Sequence, residues 1–169
     1  GRSCETRSPM MPIEVDIVVV SYNTRDLLRE CLESIRRHTA PIHVQMVVVD
    51  NASQDGSPDM VRDEFPEALL VEAGDNLGFA TANNLGIRAG GAPLILCLNS
   101  DAELQPHALD RLMHCVEPDE QCVIAGPRLL NTDGSFQASC RRFPNWSRNL
   151  WVYSGMTRRF PSNFRELHT

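Results

Sequence analysis

Short apolar runs, polar turns and stretches of helical spacing alternate along this chain. Residues 15–20 form a β-branched apolar run that ends at the polar turn Ser21-Tyr22-Asn23, the pattern of a strand buried on both faces. Thr24 is suited to cap the helix that follows. Leu27, Leu28, Cys31, Leu32 and Ile35 then recur at i, i+1, i+4, i+5 and i+8, an apolar stripe that stops before Pro41. The alternation repeats with a strand expected at 44–49, a polar turn at 50–57 and a short helix at 59–65 closed by Pro66. A third strand at 69–72 leads through Gly74-Asp75-Asn76 into a helix at 79–89, which Gly90-Gly91 ends. Pro93 opens a strand at 94–98, residues 99–103 make its exit turn, Pro106 starts a helix running to Val116, and residues 123–125 are a fifth strand candidate.

Strands alternating with helices at this spacing call for right-handed crossovers and a mostly parallel sheet with helices on both faces, an α/β sandwich. After Gly126 the character changes. Leu129-Leu130, the turn Asn131-Thr132-Asp133-Gly134 and the run at 136–138 suggest a β-hairpin near the C-terminal end. From Pro144 onward the chain is aromatic, basic and without a clear period. The expected organisation is a flexible extension at 1–12, one domain at 13–144 and an irregular segment at 145–169.

Composition narrows the class. A length of 169 residues with 42% hydrophobic and 22% charged suits one globular domain. The net charge of -6, with no basic block longer than Arg141-Arg142 or Arg158-Arg159, leaves no footprint for a nucleic-acid backbone. The apolar runs are strand-sized, far short of the roughly 20 residues of a transmembrane helix. The first ten residues are polar and lack a signal-peptide apolar region, so the segment before Met10-Met11 reads as an upstream extension and a cytoplasmic location is expected. Six cysteines make no CxxC pair, and Cys31, Cys97, Cys115 and Cys122 lie in apolar or helical patterns, as reduced core residues would.

In open parallel sheets, ligands bind beyond the carboxyl ends of the strands. Four polar clusters fall there: Ser21-Tyr22-Asn23, residues 50–57, Asp75-Asn76-Leu77-Gly78 and Asn99-Ser100-Asp101. Asn, Asp, Ser and Gly also make turns and cap helices, which suffices for any one cluster. It does not explain why an apolar strand discharges into Asn99-Ser100-Asp101-Ala102-Glu103, where acids gather without a nearby Lys or Arg. A hard divalent cation, Mg²⁺ or Mn²⁺, would supply that charge, because it prefers carboxylate and phosphate oxygen. This points to a metal-bound diphosphate. No GxxxxGK[ST], no GxGxxG after the first strand and no GxSxG elbow is present, which disfavours P-loop, dinucleotide and serine-hydrolase chemistry. His38, His43, His107 and His114 read as surface or helix-face residues.

The order and spacing of these motifs resemble family 2 glycosyltransferases of the GT-A (Rossmann-like) fold, within them the bacterial rhamnosyltransferase-like enzymes of cell-surface polysaccharide assembly. The resemblance is carried by residues 19–23 and 48–57, by Asn76-Leu77-Gly78-Phe79-Ala80 with Asn83-Asn84 and Gly86, and by Leu98-Asn99-Ser100-Asp101. Gly126-Pro127-Arg128, Asp133-Gly134 and Arg141-Arg142-Phe143-Pro144 extend it, so that it covers about residues 14 to 145.

The resemblance implies a nucleotide-sugar site drawn from Ser21, Tyr22, Asn23, Asp50, Asn51, Asn76, Gly78, Asn83, Asn99 and Ser100, with Asp101 toward the metal. Tyr22 would lie against the nucleobase, and Asp50 with Asn51 would meet its edge. Asn76, Gly78 and Asn83 would line the ribose, diphosphate or sugar pocket, and Asn99 with Asp101 corresponds to the family's DxD motif. It further implies inverting transfer from a dTDP-rhamnose or UDP-sugar donor to a saccharide or lipid-linked acceptor, with room for peripheral association at the inner membrane face. Two departures stand out. Asn99 replaces the first acid of DxD, and the acidic motif carrying the family's general base does not follow Arg142; Phe164-Arg165-Glu166-Leu167 is a poor substitute. A catalytically incomplete nucleotide-sugar-binding module is therefore the alternative. A nucleotidyltransferase ranks third, since it needs a Gly-rich basic loop where Ser21-Tyr22-Asn23 stands.

Overall fold

Four parallel strands form one sheet in the order β3-β2-β1-β4, in a computed structural model that describes residues 12–116 and 122–137. The expected extension at 1–12 except its last residue, the segment at 145–169 with Glu166, and Arg141-Arg142-Phe143-Pro144 lie outside the described residues. By chain contacts the protein divides into two units, residues 1–125 and 126–169.

The first unit holds the sheet. Strand β1 (Val15–Ser21) is central and pairs with β2 (Val44–Asp50) on one side and β4 (Leu94–Asn99) on the other; β3 (Leu69–Glu72) extends the β2 edge. Being central, β1 is buried almost throughout, which is why its sequence shows no alternation. Strands β1 and β2 run one residue further than their apolar runs, through Ser21 and Asp50, because the ladder is made by backbone groups: Asn51 N–H still donates to the Ser21 carbonyl at 2.9 Å.

Helix α1 (Arg25–His38) packs Leu28, Cys31, Leu32 and Ile35, all fully buried, against Ile17, Val19 and Val48. Helix α2 (Ser57–Glu64) adds Met60 and Val61 to that face, and α4 (Ala108–Val116) adds Leu109. Leu27 belongs to the expected stripe but is 47% exposed. The residues at 28, 31, 32 and 35 follow the i, i+3, i+4, i+7 spacing of one helix face, and a neighbour at i−1 is turned about 100° off it. Helix α3 (Phe79–Ala89) covers the opposite face, where Ala82 packs with Val18, Val47 and Val49. Helices thus lie on both faces, as the alternation requires.

Several boundaries differ from expectation. Helix α2 starts at Ser57, two residues early, behind Gly56 at φ 81°. Helix α4 starts at Ala108 rather than Pro106, because His107 at φ 62° is left-handed and cannot continue a helix. The expected fifth strand at 123–125 is not formed; Val123 and Ile124 are 84% and 86% exposed. Three apolar residues ahead of Gly126-Pro127 offer few ladder bonds, and proline has no N–H to give. Of the four cysteines expected in the core, all are free thiols but only Cys31 is buried; Cys97 faces outward from the edge strand β4 and Cys115 is exposed. His38 is half-buried and His43, His107 and His114 are exposed, as expected.

In the second unit the expected hairpin turn is present. Leu130 and Phe136 form an antiparallel bridge, Asn131 N–H donates to the Ser135 carbonyl, and Gly134 takes φ 79° at the turn. Arg128 lies over the Phe136 ring, 5.0 Å from its centre.

Candidate active site

The strand order reverses between β1 and β4, since β2 and β3 run outward on one side of β1 and β4 sits on the other. A crevice opens at such a switch point because the flanking crossovers leave to opposite faces. Val20 and Asn99, partners across the β1–β4 ladder, both line it. The cleft holds about 390 Å³, within the range of small-ligand pockets. All four polar clusters reach it: Tyr22 after β1, Asn51 after β2, Asn76 after β3, and Asn99, Ser100 and Asp101 after β4.

Three residues not singled out for the site complete the lining: Thr24, Leu27 and Phe79. Phe79 is 62% exposed at the start of α3 and Tyr22 is 49% exposed, so two aromatic side chains stand open at one cleft. A large apolar residue directly after Gly78, where the loop from the third strand enters the helix, was the available signal for Phe79. Leu27 was legible as the residue that breaks the i, i+3, i+4 spacing.

The loops are tied to one another. Asn51 is buried; its amide donates to Asn76 Oδ1 at 2.9 Å, and its Oδ1 accepts from Leu77 N–H at 2.9 Å. Asn76 Oδ1 also accepts from Gly78 N–H at 3.0 Å, fixing the turn into α3. Asn23, at φ 54°, donates its N–H to Ser53 Oγ and accepts from Gln54 N–H, joining the exits of β1 and β2. Asp55 accepts from Arg25 N–H at 2.8 Å and from the Ser57 hydroxyl and N–H. Partial burial pushes the Asp55 carboxyl up, but these hydrogen bonds outweigh it and hold it below its ordinary value.

Not every expected site residue fronts the cleft. Ser21 is fully buried behind it. Asn83 is buried on α3 with its amide donating to the Phe79 carbonyl at 2.9 Å. Asp50 is 4% exposed; one oxygen accepts from Ser53 N–H at 3.0 Å and the other has no hydrogen-bond partner.

Among the described residues Asp101 is the one carboxylate lining the cleft. Neither Asp101 nor Glu103 has an ion-pair partner among the described residues. Their field reaches Cys31, whose thiol is pushed up to about 12, first by burial and then by Asp101 and Glu103. Among the described residues no cluster of three or more His, Cys, Asp or Glu could enclose a metal. A single carboxylate beside amides does fit a hard cation that takes its remaining ligands from water and a bound diphosphate.

The open parallel sheet, with its polar cleft at the switch point, has the α/β architecture of the GT-A fold. The family profile described as Glycosyl transferase family 2 matches residues 16–168. The chain belongs to that family.

Among curated proteins it is similar to the N-acetylglucosaminyl-diphospho-decaprenol L-rhamnosyltransferase of Mycobacterium tuberculosis, at 28% identity over 80% of this chain and 52% of the relative. It is similar to the mannosyltransferase PcManGT from Pyrobaculum calidifontis, solved with GDP-Man and Mn²⁺, at 32% identity and TM-score 0.53 over 60% of this chain and 31% of that one. The fold also matches Staphylococcus aureus TarS 1-349 in complex with UDP-GlcNAc, at 20% identity and TM-score 0.57, over 63% of this chain and 32% of that one. The chain spans about half the length of the curated rhamnosyltransferase it matches.

Proposed function

We propose that this chain is the donor-binding half of an inverting, metal-dependent glycosyltransferase, taking a nucleoside-diphosphate sugar into the cleft between β1 and β4. The observation that carries the reading is the convergence of an open aromatic, Tyr22, with three amides and the Asp101 carboxylate in one cleft. Tyr22 supplies a face for the nucleobase. Asn51 fronts the base edge, with Asp50 behind it. Asn76 and Gly78 border the ribose and diphosphate, and Asn83 stiffens the first turn of α3 below them. Asn99 borders the ribose, and Asp101 would hold the Mg²⁺ or Mn²⁺ together with the diphosphate. The cation, when bound, offsets the charge that develops on the leaving nucleoside diphosphate.

The donor is a dTDP-rhamnose or UDP-sugar, and the acceptor is a saccharide or lipid-linked hydroxyl in cell-surface polysaccharide synthesis. The lipid-linked substrate named for the mycobacterial relative supports that acceptor class. Such an acceptor places the protein in the cytoplasm at the inner membrane face. Among the described residues no helix is long and apolar enough to cross a membrane.

Titration calorimetry with UDP and dTDP, with and without Mn²⁺, tests the reading: metal-enhanced binding of either nucleotide is expected, and its absence for both refutes it. Asp101→Ala should remove the metal-dependent part; an unchanged titration would leave Asp101 a turn residue only.

One observation favours a second reading, a catalytically incomplete nucleotide-sugar-binding module. Among the described residues Asp101 is the only acid lining the cleft, and a carboxylate engaged with a cation is a poor base for the acceptor hydroxyl. Steady release of nucleoside diphosphate in the presence of a saccharide acceptor would decide for the enzyme.

A further inference from the structure

Thr24 stands at the N-cap of α1, yet its side chain makes no capping hydrogen bond. Its hydroxyl instead donates to Ser100 Oγ at 3.0 Å, a residue 76 positions away on the Asp101 turn. On its other side lies Ser21 Oγ, also at 3.0 Å. A hydroxyl carries one proton. With the Thr24 proton given to Ser100, Ser21 must donate to Thr24, and Ser100 keeps its own proton for a further acceptor.

The three hydroxyls therefore form a one-way donor chain. It begins at fully buried Ser21 and ends at Ser100, on the wall of the cleft. Each bond in such a chain polarises the next, more strongly where water is excluded, so the last hydroxyl is primed as a donor. Its best partner is an anionic oxygen.

Helix α1 braces the same turn at two further points. Cys31 Sγ lies 3.6 Å from the Asn99 carbonyl and donates to it. Ser34 Oγ accepts from Leu104 N–H at 2.9 Å while donating to the Cys31 carbonyl at 2.6 Å, both within the buried interior. One helix thus fixes the turn at its start, middle and end.

We propose that Thr24 is a positioning residue for donor binding: through Ser100 it sets the Asp101 turn and directs the Ser100 proton at a diphosphate oxygen of the nucleotide. This rests on the nucleoside-diphosphate reading of the cleft.

The test compares UDP with uridine, which presents the same base and ribose without the diphosphate. Both are titrated in Mn²⁺ into the 169-residue chain and into Thr24→Val, Thr24→Ser, Ser100→Ala and the Thr24→Val/Ser100→Ala double variant. Thr24→Val, of matching shape, should weaken UDP about tenfold while leaving uridine unchanged. Thr24→Ser should restore UDP binding, and Thr24→Val should add nothing once Ser100 is alanine. Should Thr24→Val not fold, Thr24→Ala replaces it throughout. Equal UDP affinity in the valine variant, losses that add in the double variant, or a parallel loss for uridine would each overturn the role of Thr24 while leaving the cleft assignment standing. A wild-type chain that binds no UDP overturns both.

Discussion

Gly86 on α3 gives the sharpest test of how the cleft is built. A Cβ at this position would fall 2.5 Å from Val18 Cγ1 and 2.8 Å from Val49 Cγ2. Carbon atoms pack at about 3.5–4.0 Å, so α3 or both valines must yield by roughly 1 Å. Neither valine has room, since both are 0% exposed on the two central strands, and a β-branched side chain is stiff at χ1. Overpacking of this kind costs about 1–3 kcal/mol, and two rigid contacts place it near 3. Alanine returns about 1 kcal/mol through helix propensity. The net expectation for Gly86→Ala is a loss of about 2 kcal/mol, which lowers Tm by roughly 4–8 °C for a chain of this size.

The strain also reaches the site, because α3 begins at Phe79 on the cleft wall. Nucleotide affinity should therefore fall together with stability. Differential scanning calorimetry reads the first effect and titration with UDP and Mn²⁺ the second. Gly91→Ala is the control, since nothing lies within 4 Å of a Cβ there. A Gly86→Ala protein melting at or above the wild-type temperature would refute the close seating of α3.

Tyr22→Ala removes an aromatic that is 49% exposed; nucleotide Kd should rise about five- to 150-fold, the equivalent of about 1–3 kcal/mol of stacking, with Tm nearly unchanged. Asp55 is held below its ordinary value of 3.8, so its contribution to stability is fully present above about pH 4 and is lost as pH falls through the lower folded-state value. Acid melts of Asp55→Asn should accordingly lack that part of the pH dependence, and superimposable wild-type and variant profiles would count against the loop tie. Cys31, buried with its thiol pushed up to about 12, should resist iodoacetamide at about pH 8 while exposed Cys115 is alkylated, as peptide mapping would show.

The alternation of apolar runs with helical spacing was enough to specify the element order and the α/β class, because β1 and β2 are buried on both faces and their composition says so without ambiguity. The polar exits of the strands were equally legible, since a parallel sheet delivers every such exit to one edge. Boundaries moved where the signal lies in the backbone: His107 at φ 62° delays α4, and backbone pairing carries β1 and β2 into Ser21 and Asp50. The run at 123–125 has strand composition but no ladder, a matter of which neighbour lies within bonding distance.

By itself the sequence determined which residue types stand at the strand ends, and so the chemistry on offer: amides, one aromatic and acids without a balancing cation. Only the tertiary structure decided which of them share a cleft. The order β3-β2-β1-β4 puts the exits of β1 and β4 side by side, bringing Tyr22 to Asn99, Ser100 and Asp101 across some eighty residues of chain. It turned Asn83 into its own helix, enclosed Asp50, opened Phe79 and Leu27 to the cleft, and spent the Thr24 hydroxyl on Ser100 rather than on a cap. Sequence spacing fixes the face of an element a side chain occupies; which other element comes to lie opposite it follows from strand order and crossover hand, which no single segment encodes.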